Sequence, residues 1–184
     1  MDLVKSLFGG LYGDDTPSAA MPLPRPSSAG VRSRPAPRGH QPRFDPGLLP
    51  ALHADHIALL ELIRRAAAAA ATENTQAAIR ALHKFHTLLS EHLLTENTRL
   101  YLYIRASAPG RAPDAAQMSR GFQVEMNQIA RGISHFVERY TEREHMILGP
   151  AFMVDLDSVR QTLRARFARE ESALFPLYVP AAGH

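Results

Sequence analysis

His92 and Glu96 stand four residues apart, so on a helix they lie one above the other on a single face. Phe85, Leu89 and Leu100 fall on that same face, which turns both polar groups inward. A buried imidazole and a buried carboxylate are costly unless they are paired or bind a metal. His56, on an earlier stretch with helical spacing, supplies a third inward donor, and Glu170, on a later one, a fourth. Inward His and Glu about one turn apart on facing helices are a recurring di-iron arrangement in helix bundles. Imidazole with carboxylate suits iron, manganese or zinc, and needs no cysteine, of which the chain has none.

Four helices must position these donors. Apolar periodicity predicts them over roughly 47–71, 74–105, 114–141 and 151–177, with no strand-like alternation of any length. Pro50 is tolerable in the first turn of the first helix, and the Ala66–Ala71 run is a strong helix former. Pro109, Gly110 and Pro113 mark a loop, with Asp114 as the expected N-cap of the third helix. Gly149-Pro150 breaks the chain before the fourth. Short connections between four helices predict an all-α, antiparallel four-helix bundle over residues 46–180.

The two helical pairs match one another. The stretch from His92 through Glu96 to Leu100 and Tyr101 aligns with the stretch from Arg166 through Glu170 to Leu174 and Phe175. Asp55-His56 aligns with Glu125-Met126. This is the sequence trace of a bundle with pseudo-twofold symmetry.

Before residue 46 the composition changes. Pro22, Pro24, Pro26, Pro35, Pro37 and Pro42 alternate with Ser, Gly, Ala and Arg, so residues 13–45 read as a disordered basic linker. Within residues 1–12, Leu3, Val4, Leu7, Phe8 and Leu11 recur at helical spacing. So short a helix is marginal in water unless it docks on the bundle, a partner or a second copy. The start is a poor secretory signal, and no apolar run approaches a membrane span. A net charge of +3 is too small an excess to point to nucleic acid. The lack of cysteine excludes disulfides and thiol catalysis and suits a reducing cytoplasm.

The chain resembles the hemerythrin-like, or HHE cation-binding, domain. The resemblance rests on Asp55-His56, on His92-x-x-x-Glu96 with Leu100-Tyr101, and on Glu170-Glu171-x-x-Leu174-Phe175-Pro176. It covers about three quarters of the chain and excludes the tail. It implies a hemerythrin-like bundle holding two iron atoms for oxygen binding, iron handling or redox sensing. Met126 and Arg166 stand where that family usually has histidine. Methionine is a poor ligand for hard iron, and arginine cannot ligate a metal. Three states of the inner site stay open on the sequence: two irons, one metal held by His56, His92, Glu96 and Glu170, or a metal-free Arg–Glu–His network. A shorter, looser likeness links Arg166-Phe167-x-x-Glu170-Glu171 to the regulators of sigma D, which are anti-sigma factors.

His53, one turn before His56, is an expected auxiliary ligand or a half-exposed surface group. His83 should face solvent, His86 the edge of the inward face, and His135 is out of phase with Met126. His145 falls in a loop, and His40 and His184 in tails. Tyr101 and Tyr178 read as packing residues at helix ends. Without a phosphate-binding loop or a nucleophile beside a base, the chain is not expected to be an enzyme. The expected function is metal binding, with iron as the expected ion, in oxygen, redox or metal sensing or regulation. The alternative is a metal-free scaffold regulating a partner through the N-terminal segment or its helix faces.

Overall fold

The computed structural model describes residues 42–107, 114–142 and 148–180. The expected segment 1–12 and nearly all of the expected linker 13–45 lie outside the described residues. Helix α1 spans Leu48–Ala71 and α2 Thr75–Thr95; α2 continues through a π-helical turn, Glu96–Leu100, into α3, Tyr101–Ser107. Helix α4 spans Ala115–Thr141. Helix α5 spans Pro150–Arg169 and continues through a second π-helical turn, Glu170–Leu174, into a 3₁₀ turn, Phe175–Leu177. The principal contacts run α1–α2, α2–α4, α4–α5 and α5–α1, closing a ring of four antiparallel helices.

Local sequence explains the ends. Between α1 and α2 the chain reverses at Glu73, whose φ of 56° is left-handed and costs about 1 kcal/mol for an L side chain. Asn74 follows as the N-cap, its side chain accepting from Ala77 N at 3.0 Å. Helix α5 starts at Pro150, whose missing N–H would be unsatisfied there in any case. Asp114 occupies the N-cap position of α4, but against expectation its side chain makes no capping bond.

Continuous helices were expected where the structure has π-helical turns. Both turns begin at an inward glutamate, Glu96 and Glu170, and occupy equivalent places in the two halves. Turns of this kind are frequent at functional sites. The linker boundary also differs. Phe44 stacks on Tyr178 with ring centroids 5.0 Å apart, and Tyr178 accepts a hydrogen bond from Asp45 N at 2.8 Å. Asp45 also pairs with Arg99. Those contacts tie residues 44 and 45 to the bundle.

The interior divides into two apolar clusters. One contains Leu59, Ile63, Phe85, Ile133, Phe152 and Leu163 among others. The other contains Leu52, Leu100, Tyr101, Phe122, Leu174 and Tyr178. Between them, at the level of the π-helical turns, lie the buried polar side chains His56, His92, Glu96, Arg166 and Glu170. The bundle is thus two hydrophobic plugs with a polar layer clamped between them.

Candidate metal centre

Each inward donor is placed by an apolar stripe. On α1 the buried series Leu48, Leu52, His56, Leu59, Ile63 advances by three or four residues, and His56 takes the place of a core leucine. On α2 the series Phe85, Leu89, His92, Glu96 does the same. The periodicity that builds the core therefore drives these groups out of water.

His56 Nδ1 donates to Glu171 Oε1 at 2.8 Å, and His92 Nδ1 faces Asp55 Oδ2 at 3.3 Å. An ionised carboxylate only accepts, so each ring carries its proton on Nδ1 and turns the Nε2 lone pair inward. His56 Nε2 lies 3.4 Å from Glu170 Oε2, and His92 Nε2 3.8 Å from Glu96 Oε1. The His56 ring is also held flat against Phe167, with centroids 3.9 Å apart. A carboxylate behind a ligating imidazole is the usual way to fix its tautomer and orientation.

The inner edges of these groups are without hydrogen bonds. His56 Nε2, His92 Nε2, Glu96 Oε1 and both Glu170 oxygens are buried and make none among the described residues. Leaving such an atom unsatisfied costs about 1–3 kcal/mol. One donor atom from each of His56, His92, Glu96 and Glu170 lies within 4.8 Å of all the others. Burial, and then the charge of Glu170, pushes the Glu96 carboxyl well above its usual range. Burial, and then His56, holds His92 below the usual histidine value. A cation in the cluster would satisfy the orphaned atoms and favour the charge that burial disfavours on Glu96.

The opposite half is built from the same positions with different chemistry. Arg166 stands where His92 has its counterpart, and it is 2% exposed. Its Nη2 lies 2.6 Å from Glu170 Oε1, an ion pair whose angle falls outside hydrogen-bond geometry. The same nitrogen donates to Phe122 O at 3.0 Å and to the Tyr101 hydroxyl at 3.3 Å. Tyr101 in turn donates to Glu96 Oε2 at 3.3 Å. The guanidinium sits 4.3 Å from the centroid of the Phe122 ring. Glu125 faces Arg166 Nη1 at 3.4 Å as Asp55 faces His92, and it also accepts from Arg169 at 2.6 Å. Met126, the counterpart of His56, is buried in the apolar core. Asn97, the counterpart of Glu171, accepts from Gln123 at 2.5 Å, with no imidazole to orient.

A family model described as the Hemerythrin HHE cation binding domain matches residues 48–178. The chain belongs to the hemerythrin HHE cation-binding family. The comparisons with curated proteins and with solved structures returned no match. The looser likeness to the anti-sigma regulators finds no support in these comparisons.

Within that family frame the described residues bring together a His and Glu cluster able to hold a metal. The four inward donors His56, His92, Glu96 and Glu170 converge, and His53 joins them only at the outside, its Nδ1 2.9 Å from Glu171 Oε1. In the other half Met126 and Arg166 supply no hard donor, so a second ion finds only the two carboxylates. The spacing argument singled out the four inward groups but not the roles of Asp55, Glu171, Glu125 and Tyr101. For the three acids the signal was a carboxylate next to an inward position: Asp55 before His56, Glu125 before Met126 and Glu171 after Glu170. The remaining histidines stand apart from the cluster. His83 is exposed, His86 faces Ser134 Oγ at 3.1 Å, and His135 faces Glu138 at 3.4 Å. His40, His145 and His184 lie outside the described residues.

Proposed function

We propose that this hemerythrin HHE domain holds a single divalent metal ion, iron by family likeness, through His56, His92, Glu96 and Glu170, and serves in oxygen, redox or metal sensing. The observation that carries this reading is the convergence of four buried donors within 4.8 Å, with both imidazoles aimed inward by carboxylates behind them. Iron in a nitrogen and oxygen site of this kind supplies reversible redox change and an affinity for small ligands. The protein side chains bind and orient it. Arg166 holds a fixed positive charge against Glu170 at the place of a second ion.

A sensing role is favoured over catalysis by access. The four donors are at most 2% exposed. A cleft of about 320 Å³ between α4 and α5 reaches only Arg166, Glu125 and their neighbours. Electrons and very small ligands suit such a site better than an organic substrate. No described helix is long and apolar enough to cross a membrane.

The test is metal content after iron-supplemented, anaerobic purification. One equivalent per chain is expected, lost in His92→Ala and in Glu96→Ala. One observation favours a second reading: the Arg166–Glu170 ion pair neutralises one buried carboxylate without any ion. Metal-free protein from that purification would leave this reading, an arginine-locked scaffold for a partner protein, in place of the first.

A further inference from the structure

The metal centre is sealed, so an ion needs a route to it. His56 is 2% exposed and Glu170 is fully buried. His53 extends the inner donors toward solvent through groups that can themselves bind a metal. His53 lies on α1 one turn before His56, its side chain 54% exposed. Its Nδ1 meets Glu171 Oε1 at 2.9 Å, and the same oxygen accepts from His56 Nδ1 at 2.8 Å. His53, His56 and Glu171 together form a second group whose donor atoms lie within 4.8 Å of one another. It is contiguous with the first through the two faces of one imidazole.

The internal symmetry supplies an independent observation. The positions of His53, Asp55 and His56 on α1 correspond to Gln123, Glu125 and Met126 on α4. Those of His92, Glu96 and Asn97 correspond to Arg166, Glu170 and Glu171. The cross-helix contact His53–Glu171 therefore has an equivalent, Gln123–Asn97, and the structure contains it at 2.5 Å. The contact is kept in both halves, and its chemistry differs. Where the inner histidines are present, the outer pair is imidazole and carboxylate. Where they are replaced by Met126 and Arg166, the outer pair is two carboxamides. A plain structural clasp would need only the amide version, which Arg105 extends by donating to Gln123 at 2.9 Å.

We propose that His53 and Glu171 form an outer capture site for a divalent cation, from which the ion passes to His56, His92, Glu96 and Glu170. The inference rests on the metal-binding reading above. An ion captured there would be held by the Glu171 carboxylate and by His53 Nδ1, displacing to solvent the proton that Nδ1 now presents to Glu171 Oε1 at 2.9 Å. Glu171 returns to His56 Nδ1 once the ion has moved inward.

The experiment uses the full chain stripped of metal by chelation, with Co²⁺ as the probe. Equilibrium titration gives affinity, and stopped-flow absorbance gives the uptake rate. His53→Gln copies the other half and can still hydrogen-bond Glu171. It is expected to leave affinity unchanged and slow uptake about tenfold, a barrier increase of about 1.4 kcal/mol. His135→Gln removes another exposed histidine that also faces a glutamate, so it should load at the unaltered rate. Uptake by His53→Gln at that same rate would overturn the proposal. So would an affinity loss matching the rate loss, since His53 would then only prop Glu171. Absence of Co²⁺ binding by the unaltered chain in the titration would instead overturn the metal-binding reading on which the proposal stands.

Discussion

Arg166→Met removes the guanidinium while keeping a side chain of similar length and apolar girth. Arg166 is 2% exposed and Glu170 fully buried, and their charged atoms lie 2.6 Å apart. An exposed ion pair would contribute only about 0–1 kcal/mol. Removing one partner of a buried pair leaves an uncompensated charge and costs about 3–5 kcal/mol. The larger figure applies here, because both side chains are almost fully buried, with the guanidinium packed against Phe122 and bonded to Tyr101. For a bundle of this size the loss corresponds to a fall in Tm of roughly 10–20 °C. The assay is urea unfolding followed by circular dichroism, with metal chelated so that no ion replaces the lost charge. Glu170→Gln in the same background should return about 2–3 kcal/mol, the part belonging to the pair. The rest reflects the bonds to Phe122 O and Glu125. A loss below about 1 kcal/mol, or a loss of equal size in the Glu170→Gln background, would refute the view that Arg166 is the built-in counterion of Glu170.

Two further outcomes follow from the asymmetry of the halves. Copying the first half into the second with Met126→His, Arg166→His and Asn97→Glu should raise metal content from one equivalent to two, read by elemental analysis. Arg166→His alone should leave it at one, because the Met126 position still offers no hard donor. The second outcome concerns pH. Burial raises the Glu96 pKa above 4.5, so protons compete with metal at higher pH than at an ordinary carboxylate. Affinity should fall as pH drops through that raised range, and metal uptake in weakly buffered solution should release protons, fewer in Glu96→Gln. In the metal-free chain Glu96 alone acts in the opposite sense. A raised acid pKa adds stability at low pH that is lost as pH rises through the folded value. His92, held below 6.5 by burial, adds stability above about that pH and loses it as pH falls through the folded value.

The four helices and the four inward donors were legible because one signal carries both. A period of 3.6 residues puts Leu52, His56, Leu59 and Ile63 on one stripe, and a polar residue on that stripe must end up inside. What periodicity cannot carry is contact between helices. Asp55 behind His92 and Glu171 behind His56 are separated from their partners by 37 and 115 residues. No local rule joins them. Tyr101, expected to be a packing residue, reaches both Glu96 and Arg166. The π-helical turns escaped notice because a few apolar residues on either side keep a helical rhythm across the extra residue. Phe44 and Asp45 were masked by a proline-rich neighbourhood whose composition says linker, although two aromatic rings and an arginine bind them to the bundle.

The two halves together define how the polar layer is balanced. Glu96 and Glu170 are both fully buried, and two carboxylates so placed require positive charge close by. In a symmetric bundle of this design both compensating charges would be metal ions. Here one half meets the requirement with the Arg166 guanidinium, and the same half carries Met126 in place of an imidazole and Asn97 in place of an orienting acid. The three replacements are mutually consistent: an arginine that needs no coordinating neighbours, a thioether that needs no tautomer fixed, and an amide with no ring to hold. The other half has His56, His92 and Glu171 at the corresponding positions, with His53 outside them. Consistent replacement in one half beside a complete donor set in the other is what the one-ion reading requires, and substitutions scattered over both halves would count against it.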